Sequence, residues 1–376
     1  MKNRLVGRLF VAVTAASVTI FAVLAPVSPV AAASFETVVV ADGLEHPWGL
    51  AFLPDGRMLV TERPGNLRIV SKKGAVSDPL TGLPDIFAER QGGLLDVVLH
   101  PQYEANGWIY FSYASPAPDG ARTAVARARL AGSALTDVET IHIADNPGSS
   151  GGHFGSRLTF GPDGKLFVTA GERNRAREAQ SLANNNGTVL RLNDDGSIPS
   201  DNPFVGQASA LASMFSDGHR NPQGLALHPT RGEVWLHEHG PQGGDEINLL
   251  MPGANYGWPV VTFGLSYSGD PIGIGPGAPG FEQPLHHWTP SIAPSGMAFY
   301  TGDAFPAWKG SLFVGSLKFR HLVRVELDGT KVVAQERLLE NSFGRIRDVR
   351  QSPDGLIYVL TDDPNGKLVR LQPVAR

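Results

Sequence analysis

Leu158-Thr159-Phe160-Gly161-Pro162-Asp163-Gly164-Lys165-Leu166-Phe167-Val168-Thr169 reads as two apolar runs joined by a Pro-Asp-Gly turn. Pro presets one turn dihedral and Gly permits positive φ, so the segment predicts a β-hairpin. The same pattern stands at Leu50 to Thr61 and at Val349 to Leu360. Looser copies run from Val97 to Phe111, from Leu225 to Leu236 and from Met297 to Val314. A unit recurring about every 50–70 residues marks a radial or stacked repeat. Six four-stranded units of this size predict an all-β, six-bladed β-propeller, whose central channel is a natural site. Such a ring closes by pairing its first strand into its last blade. Phe35 to Val40 beside Lys367 to Leu371 is the predicted closing pair.

The first 33 residues predict a secretory signal peptide. Lys2, Arg4 and Arg8 precede an apolar stretch from Leu9 to Leu24, and Ala31-Ala32-Ala33 offers small residues for cleavage. The stretch is short for a membrane span, and Pro26 and Pro29 follow closely on its end. The chain therefore divides into a signal peptide over 1–33 and one propeller domain over 34–376, with no membrane span in the mature part. A secreted or periplasmic protein is expected. Losing the three N-terminal cations takes the net charge from −4 to −7. A mildly acidic protein has no electrostatic claim on nucleic acid or anionic lipid. There is no cysteine, so no disulfide can staple the fold and no thiol can carry a lipid.

Between the hairpins lie polar segments that a plain scaffold does not need. They are Gln91-Gly-Gly-Leu-Leu-Asp, Gly151-Gly-His-Phe-Gly-Ser-Arg-Leu with Gly171-Glu-Arg-Asn, Asp217-Gly-His-Arg-Asn-Pro-Gln-Gly-Leu, His237-Glu-His-Gly-Pro-Gln-Gly-Gly-Asp-Glu-Ile-Asn, Gly315-Ser-Leu-Lys-Phe-Arg and Gly344-Arg-Ile-Arg-Asp-Val. Each abuts a repeated hairpin, so the ring predicts that they converge at one end of the channel. They bring together cations (Arg220, Lys318, Arg345, Arg347), amides (Gln91, Asn221, Gln223) and carboxylates (Glu172, Asp245, Glu246). Any one of these Arg residues is most simply the partner of a structural acid. Four cations around one mouth of an acidic protein call for a multiply anionic ligand.

His153 alone reads as a satisfied core histidine. Glu172, one strand and turn later, is placed to orient its imidazole, and that pairing makes His153 a candidate base. His237 and His239 are two apart and share a face of a strand, but no third zinc ligand stands at a suitable spacing. Gly240-Pro241 with Asp245 and Glu246 offers carbonyl and carboxylate oxygens, the donors calcium prefers. It lacks the spacing of a helix–loop–helix calcium loop.

Six motifs carry a resemblance: Gln-Gly-Gly-Leu-Leu from Gln91, Gly-His-Phe-Gly-Ser-Arg-Leu from Gly152, Gly-His-Arg-Asn-Pro-Gln-Gly-Leu from Gly218, Glu-His-Gly-Pro from Glu238 with Gly-Gly-Asp-Glu-Ile-Asn from Gly243, Asn-Tyr-Gly-Trp-Pro from Asn255, and Arg-Ile-Arg-Asp-Val from Arg345. In this order they resemble the soluble quinoprotein glucose/sorbosone dehydrogenase family, nearest its bacterial aldose sugar dehydrogenase branch, from about Leu44 to Leu371. The resemblance implies a six-bladed propeller that holds pyrroloquinoline quinone (PQQ) and Ca2+ over the channel. The quinone's three carboxylates answer the ring of cations. The resemblance also implies that an aldose gives its C1 hydroxyl proton to His153 while hydride passes to the quinone C5.

By motif position the implied catalytic set is His153, Glu172, Gln91 and Arg220. The implied cofactor-binding set is Gln91, His153, Arg220, Asn221, His239, Lys318, Arg345 and Arg347. Gly240 and Pro241 match carbonyl ligands of calcium, with Asp245 and Glu246 beside them. His239 stands where the glucose branch has Gln, and that branch's long insertions for pocket and dimer are missing. A monomer with an open pocket for a range of aldoses is therefore expected. The electron acceptor, whether quinone, dye or cytochrome, stays open.

Two other functions fit a propeller. A metal-dependent lactonase wants carboxylates and amides around a bare metal, and this mouth is rich in Arg and Lys. A non-catalytic binding propeller has no use for a base and its orienter, and both are present.

Overall fold

The computed structural model describes residues 34–374 apart from 119, 147 and 150. The expected signal segment lies outside the described residues. Each repeated hairpin forms the two innermost strands of one sheet, and the six sheets form a ring. Blade 1 comprises Pro47–Phe52, Met58–Glu62 and Asn66–Val70. Blade 2 comprises Leu94–Leu99, Trp108–Ala117, Gly120–Ala131 and Ala134–Ile143. Blade 3 comprises Gly155–Phe160, Leu166–Ala170, Thr188–Leu192 and Met214–Ser216. Blade 4 comprises Pro222–Leu227, Val234–Glu238, Asp245–Leu249 and His286–Trp288. Blade 5 comprises Pro294–Phe299, Leu312–Ser316, His321–Asp328 and Lys331–Leu338. Blade 6 comprises Ile346–Gln351, Ile357–Thr361 and Gly366–Pro373, completed by Phe35–Leu44 from the other end of the chain.

That N-terminal strand closes the ring. It runs antiparallel to Gly366–Pro373, in register from Phe35 opposite Pro373 to Leu44 opposite Gly366, with irregularities around Ala41. The first strand of every blade packs on the first strands of both neighbours, so no inner edge is left open.

One blade departs from the four-stranded expectation. Blade 1 has three strands, and residues 75–80 take the fourth place irregularly. Ser77 N–H still reaches Ile69 O and Leu80 N–H reaches Leu67 O, both at strand distances. Pro79 between them has no N–H to give, so a regular ladder cannot form.

The apolar core is divided among the blade interfaces. Between blades 1 and 2 lie Leu59, Leu67, Val97 and Phe111, and between blades 5 and 6 lie Phe313, Leu322, Ile346 and Val359, all fully buried. Leu44 of the closing strand joins Leu50, Val60 and Leu360 between blades 6 and 1. A sheet buried on both faces this way needs apolar residues on both sides, which explains the runs without strict alternation. Among the described residues no helix is long and apolar enough to cross a membrane.

Candidate active site

All six inner strands start at the same end of the channel, and all six second strands finish there. The polar segments found in the sequence are the connections at that end. They enclose a cavity of about 450 Å3 lined by His46, Trp48, Arg63, Arg90, Gln91, Leu95, Phe154, Gly155, Asn221, Gln223, His239, Ala293, Leu317, Arg345, Arg347 and Asp362. Its volume is within the range of small-molecule pockets, roughly 300–1,000 Å3. Four non-glycine residues in or beside this wall have left-handed backbones: His46, Arg90, His153 and Ala293, at φ 46°, 56°, 53° and 52°. Backbone strain of this kind collects at functional sites.

The floor is a buried ion cluster. Arg157 reaches Asp96 at 3.3 Å and Asp348 at 3.0 Å, and Arg350 reaches the same two acids at 2.6 and 2.9 Å. Arg157 also donates from Nε to Gln223 O at 2.7 Å and from Nη2 to Arg347 O at 3.3 Å, with its guanidinium 4.1 Å from the Trp48 ring centroid. One side chain from blade 3 thus touches blades 1, 2, 4 and 6. Gly296 in blade 5 makes room for the cluster, since a Cβ there would meet Asp348 Oδ1 at 2.2 Å.

Above that floor sits a charge imbalance. Arg63, Arg90, Arg345 and Arg347 face the cavity against a single lining carboxylate, Asp362. Asp362 Oδ2 accepts from Arg345 at 2.9 Å and from Arg347 at 2.8 Å, and its Oδ1 lies 3.0 Å from His46 Nδ1. Burial alone pushes the Asp362 carboxyl up, but Arg347 and Arg345 override that and hold it far below the usual range. Among the described residues three of these positive charges have no carboxylate facing them in the wall, and Arg347 keeps a buried Nε–H with no acceptor. A planar triacid such as the quinone implied by the resemblance fits this cavity in size and charge.

His153 is not itself a lining residue but adjoins the wall: its chain neighbours Phe154 and Gly155 and its partner Gln91 line the cavity, and its side chain is about one-tenth exposed. Its Nδ1 lies 2.6 Å from Glu172 Oε2, and its backbone N–H donates to Gln91 Oε1 at 2.8 Å. A carboxylate only accepts, so Nδ1 carries the proton and Nε2 keeps its lone pair. Gly171 permits the approach of the two strands, because a Cβ there would lie 2.1 Å from His153 O. Asn221 uses Oδ1 to accept from Gly155 N–H and Gln223 Nε2, which leaves its own amide to donate. His239 donates from Nε2 to Pro294 O at 2.5 Å; burial holds its imidazole well below the usual pKa, so it is neutral. His237 is fully buried with neither ring nitrogen partnered, apart from the cavity wall.

Four expected site residues are placed differently: Lys318, Asp245, Glu246 and Arg220. Lys318 is exposed and its side chain lines a neighbouring cavity, because the chain turns outward after Leu317. Asp245 is committed to the backbone: Oδ1 accepts from Gly240 N–H at 2.8 Å, and Oδ2 accepts from Ile292 and Ala293 at 2.7 and 3.0 Å. It fixes the loop rather than facing a metal. Glu246 lines a small separate cavity with Glu238 and Gly240, and burial together with the Glu238 charge pushes its carboxyl up to about 8. Arg220 also lines that smaller cavity and donates to the carbonyls of His239 and Gly240, both at 3.2 Å. Among the described residues no three His, Asp or Glu side chains form a metal-binding group. A calcium ion at Gly240 and Pro241 would find backbone carbonyls only, and needs most of its six to eight oxygens from a bound anion and water.

The sequence reading missed Arg63, Asp362, Trp48 and Arg90. Arg63 and Asp362 follow the second strands of blades 1 and 6, the place that Gly171, His239 and Leu317 occupy in blades 3, 4 and 5, one residue before Glu172 in blade 3. Aligning the six hairpins is the signal that finds them.

Residues 44–370 match the sequence signature described as Glucose / Sorbosone dehydrogenase. The chain is 46% identical over 349 residues to the Aldose sugar dehydrogenase YliI of Escherichia coli, covering 91% of this chain and 94% of that one. It is 31% identical over 414 residues to Quinoprotein glucose dehydrogenase B of Acinetobacter calcoaceticus, covering 88% and 86%. Among solved structures, the soluble aldose sugar dehydrogenase of Escherichia coli in its apo-form superimposes with a TM-score of 0.88 at 45% identity, covering 91% and 100%. The PQQ-bound aldose sugar dehydrogenase of Streptomyces coelicolor gives 0.73 at 28% identity, covering 91% and 99%.

Proposed function

The chain belongs to the glucose/sorbosone dehydrogenase family, and from that premise we propose that it is an exported PQQ-dependent aldose dehydrogenase that oxidises the C1 hydroxyl of aldoses to give lactones. The observation that carries the reading is the His153–Glu172 pair adjoining a cavity where, among the described residues, three positive charges have no carboxylate facing them in the wall. When bound there, the quinone supplies a two-electron acceptor for hydride, and calcium beside it supplies a Lewis acid.

The chain's own groups do the rest. Arg345, Arg347 and the free amide of Asn221 hold carboxylates of the cofactor. His153 takes the C1 hydroxyl proton at Nε2, because Nδ1 is bound to Glu172. Glu172 fixes that tautomer and stabilises the imidazolium that forms. Gln91 sets the His153 backbone from the adjoining loop, accepting the His153 N–H and donating its own backbone N–H to Gly151 O. Gly240 and Pro241 offer carbonyls to calcium, while Asp245 shapes their loop. An imidazole accepts a proton only when neutral, so a His153 that already carries two ring protons cannot serve as the base. Against a lactonase weighs the one cavity carboxylate, Asp362, already paired with two Arg side chains.

Purified protein reconstituted with quinone and calcium and assayed on a panel of aldoses with an artificial acceptor tests the reading. Sugar oxidation that appears only with the quinone is expected. Full activity in a preparation shown by mass spectrometry to lack quinone overturns it.

A further inference from the structure

A dehydrogenase that keeps its cofactor has to pass two electrons onward after each turnover. Next to the cofactor cavity lies a second one of about 410 Å3, lined by Lys318, Phe319, Arg320, His321, Arg337, Glu340 and Asn341. The two adjoin at consecutive residues: Leu317 lines the first and Lys318 the second. Three cations meet one carboxylate there, so the cavity is positive on a protein whose net charge is negative. Glu340 lies 3.7 Å from Arg337, which leaves Lys318 and Arg320 without a facing acid in this cavity. Phe319 presents a ring 40% exposed, stacked within 8° of parallel on the buried His321. Cations around a flat apolar face suit a flat, anionic, aromatic molecule.

We propose that this cavity binds the electron acceptor, and that the acceptor is a small quinone bearing a carboxylate or sulfonate. The proposal rests on the dehydrogenase reading. It balances without a further reactant: the reduced cofactor gives up two electrons and two protons, and the acceptor quinone leaves as its hydroquinone. The acidic group pairs with Arg320 and Arg337 while the ring lies on Phe319. A volume of about 410 Å3 is that of a small-molecule pocket, which favours this occupant over an acidic redox protein.

The test compares the reconstituted native enzyme with an Arg320→Glu/Arg337→Glu double variant, and with the milder Arg320→Gln/Arg337→Gln. The acceptors are 1,4-naphthoquinone-2-sulfonate and uncharged 1,4-naphthoquinone. Charge reversal should raise KM for the sulfonate by about tenfold, with a smaller rise for the Gln pair. KM for the sugar and for the uncharged quinone should stay within about twofold of native. The native KM for the sulfonate should also rise with salt, and the reversed variant should lose that dependence. Equal KM values for the sulfonate in all three proteins overturn the proposal. In a second arm, calorimetry of redox-inert naphthalene-2-sulfonate should lose one class of site in the reversed variant. An unchanged isotherm overturns the proposal whatever the turnover assays give. Absence of sugar oxidation with every acceptor strikes the dehydrogenase reading instead.

Discussion

His153 Nδ1 stands 2.6 Å from Glu172 Oε2, and the same carboxylate oxygen accepts the Asn174 backbone N–H at 2.9 Å. The two acceptor contacts fix the carboxylate, and the carboxylate fixes the ring. A base oriented this way presents Nε2 alone to a substrate. Glu172→Gln keeps an oxygen for that contact but removes the charge that steadies the imidazolium. A hydrogen bond to a charged group contributes about 1.5–3 kcal/mol, so kcat should fall about tenfold to hundredfold. Steady-state kinetics with saturating quinone and calcium measure it; an unchanged kcat separates Glu172 from the chemistry.

Arg157 ties five blades together beneath the cavity. Removing Arg157 leaves two buried carboxylates, Asp96 and Asp348, to share the single cation Arg350, at a cost of about 3–5 kcal/mol. Arg157→Met should lower the midpoint of urea unfolding accordingly, and Arg157→Lys should lower it less. A midpoint equal to native for Arg157→Met removes the cluster from the account of stability.

Asp217 supplies a pH signature. Burial pushes its carboxyl up to about 6, against the opposing pull of His219 and of backbone donors. The folded protein therefore holds this proton more tightly than the unfolded chain, whose Asp titrates near about 3.9. Its contribution grows as pH falls from about 6 to about 4 and is absent above. Asp217→Asn should flatten stability across that window and raise it near pH 8 by about 1–3 kcal/mol. Thermal melts at several pH values follow this, and a native slope that survives the substitution assigns the titration elsewhere.

Calcium should bind weakly without the quinone. With Asp245 engaged by three backbone N–H groups, the Gly240–Pro241 turn offers too few oxygens to hold the ion alone. Calorimetry at this turn, with Gly240 kept and Glu246→Gln used to silence the separate acidic cavity, should show calcium affinity rising at least about tenfold once quinone is added. Equal affinity with and without quinone contradicts the linkage.

The ring was readable because each blade repeats a hairpin whose turn chemistry is written in three residues. Leu158 to Thr169 shows it: apolar runs give strands, and Pro162 with Gly164 gives the turn. The fourth strand of blade 1 was not readable, because Pro79 breaks a ladder that the surrounding pattern suggests. His153 with Glu172 was readable because both flank one hairpin. Arg63 and Asp362 were overlooked although they hold equivalent repeat positions, since neither sits in a conspicuous motif. Lys318 shows the opposite limit: sequence gave its place at a strand end, but not the cavity its side chain enters. Arg157 has partners on four other blades, and contacts across a channel leave no trace in local spacing.

The central claim is that His153 is the base of a quinone-dependent sugar oxidation. His153→Ala, loaded with quinone and calcium and given saturating aldose, tests it most directly. The account predicts kcat lower by about 10²–10⁴-fold, with quinone affinity close to native. A kcat near the native value in the loaded variant contradicts it.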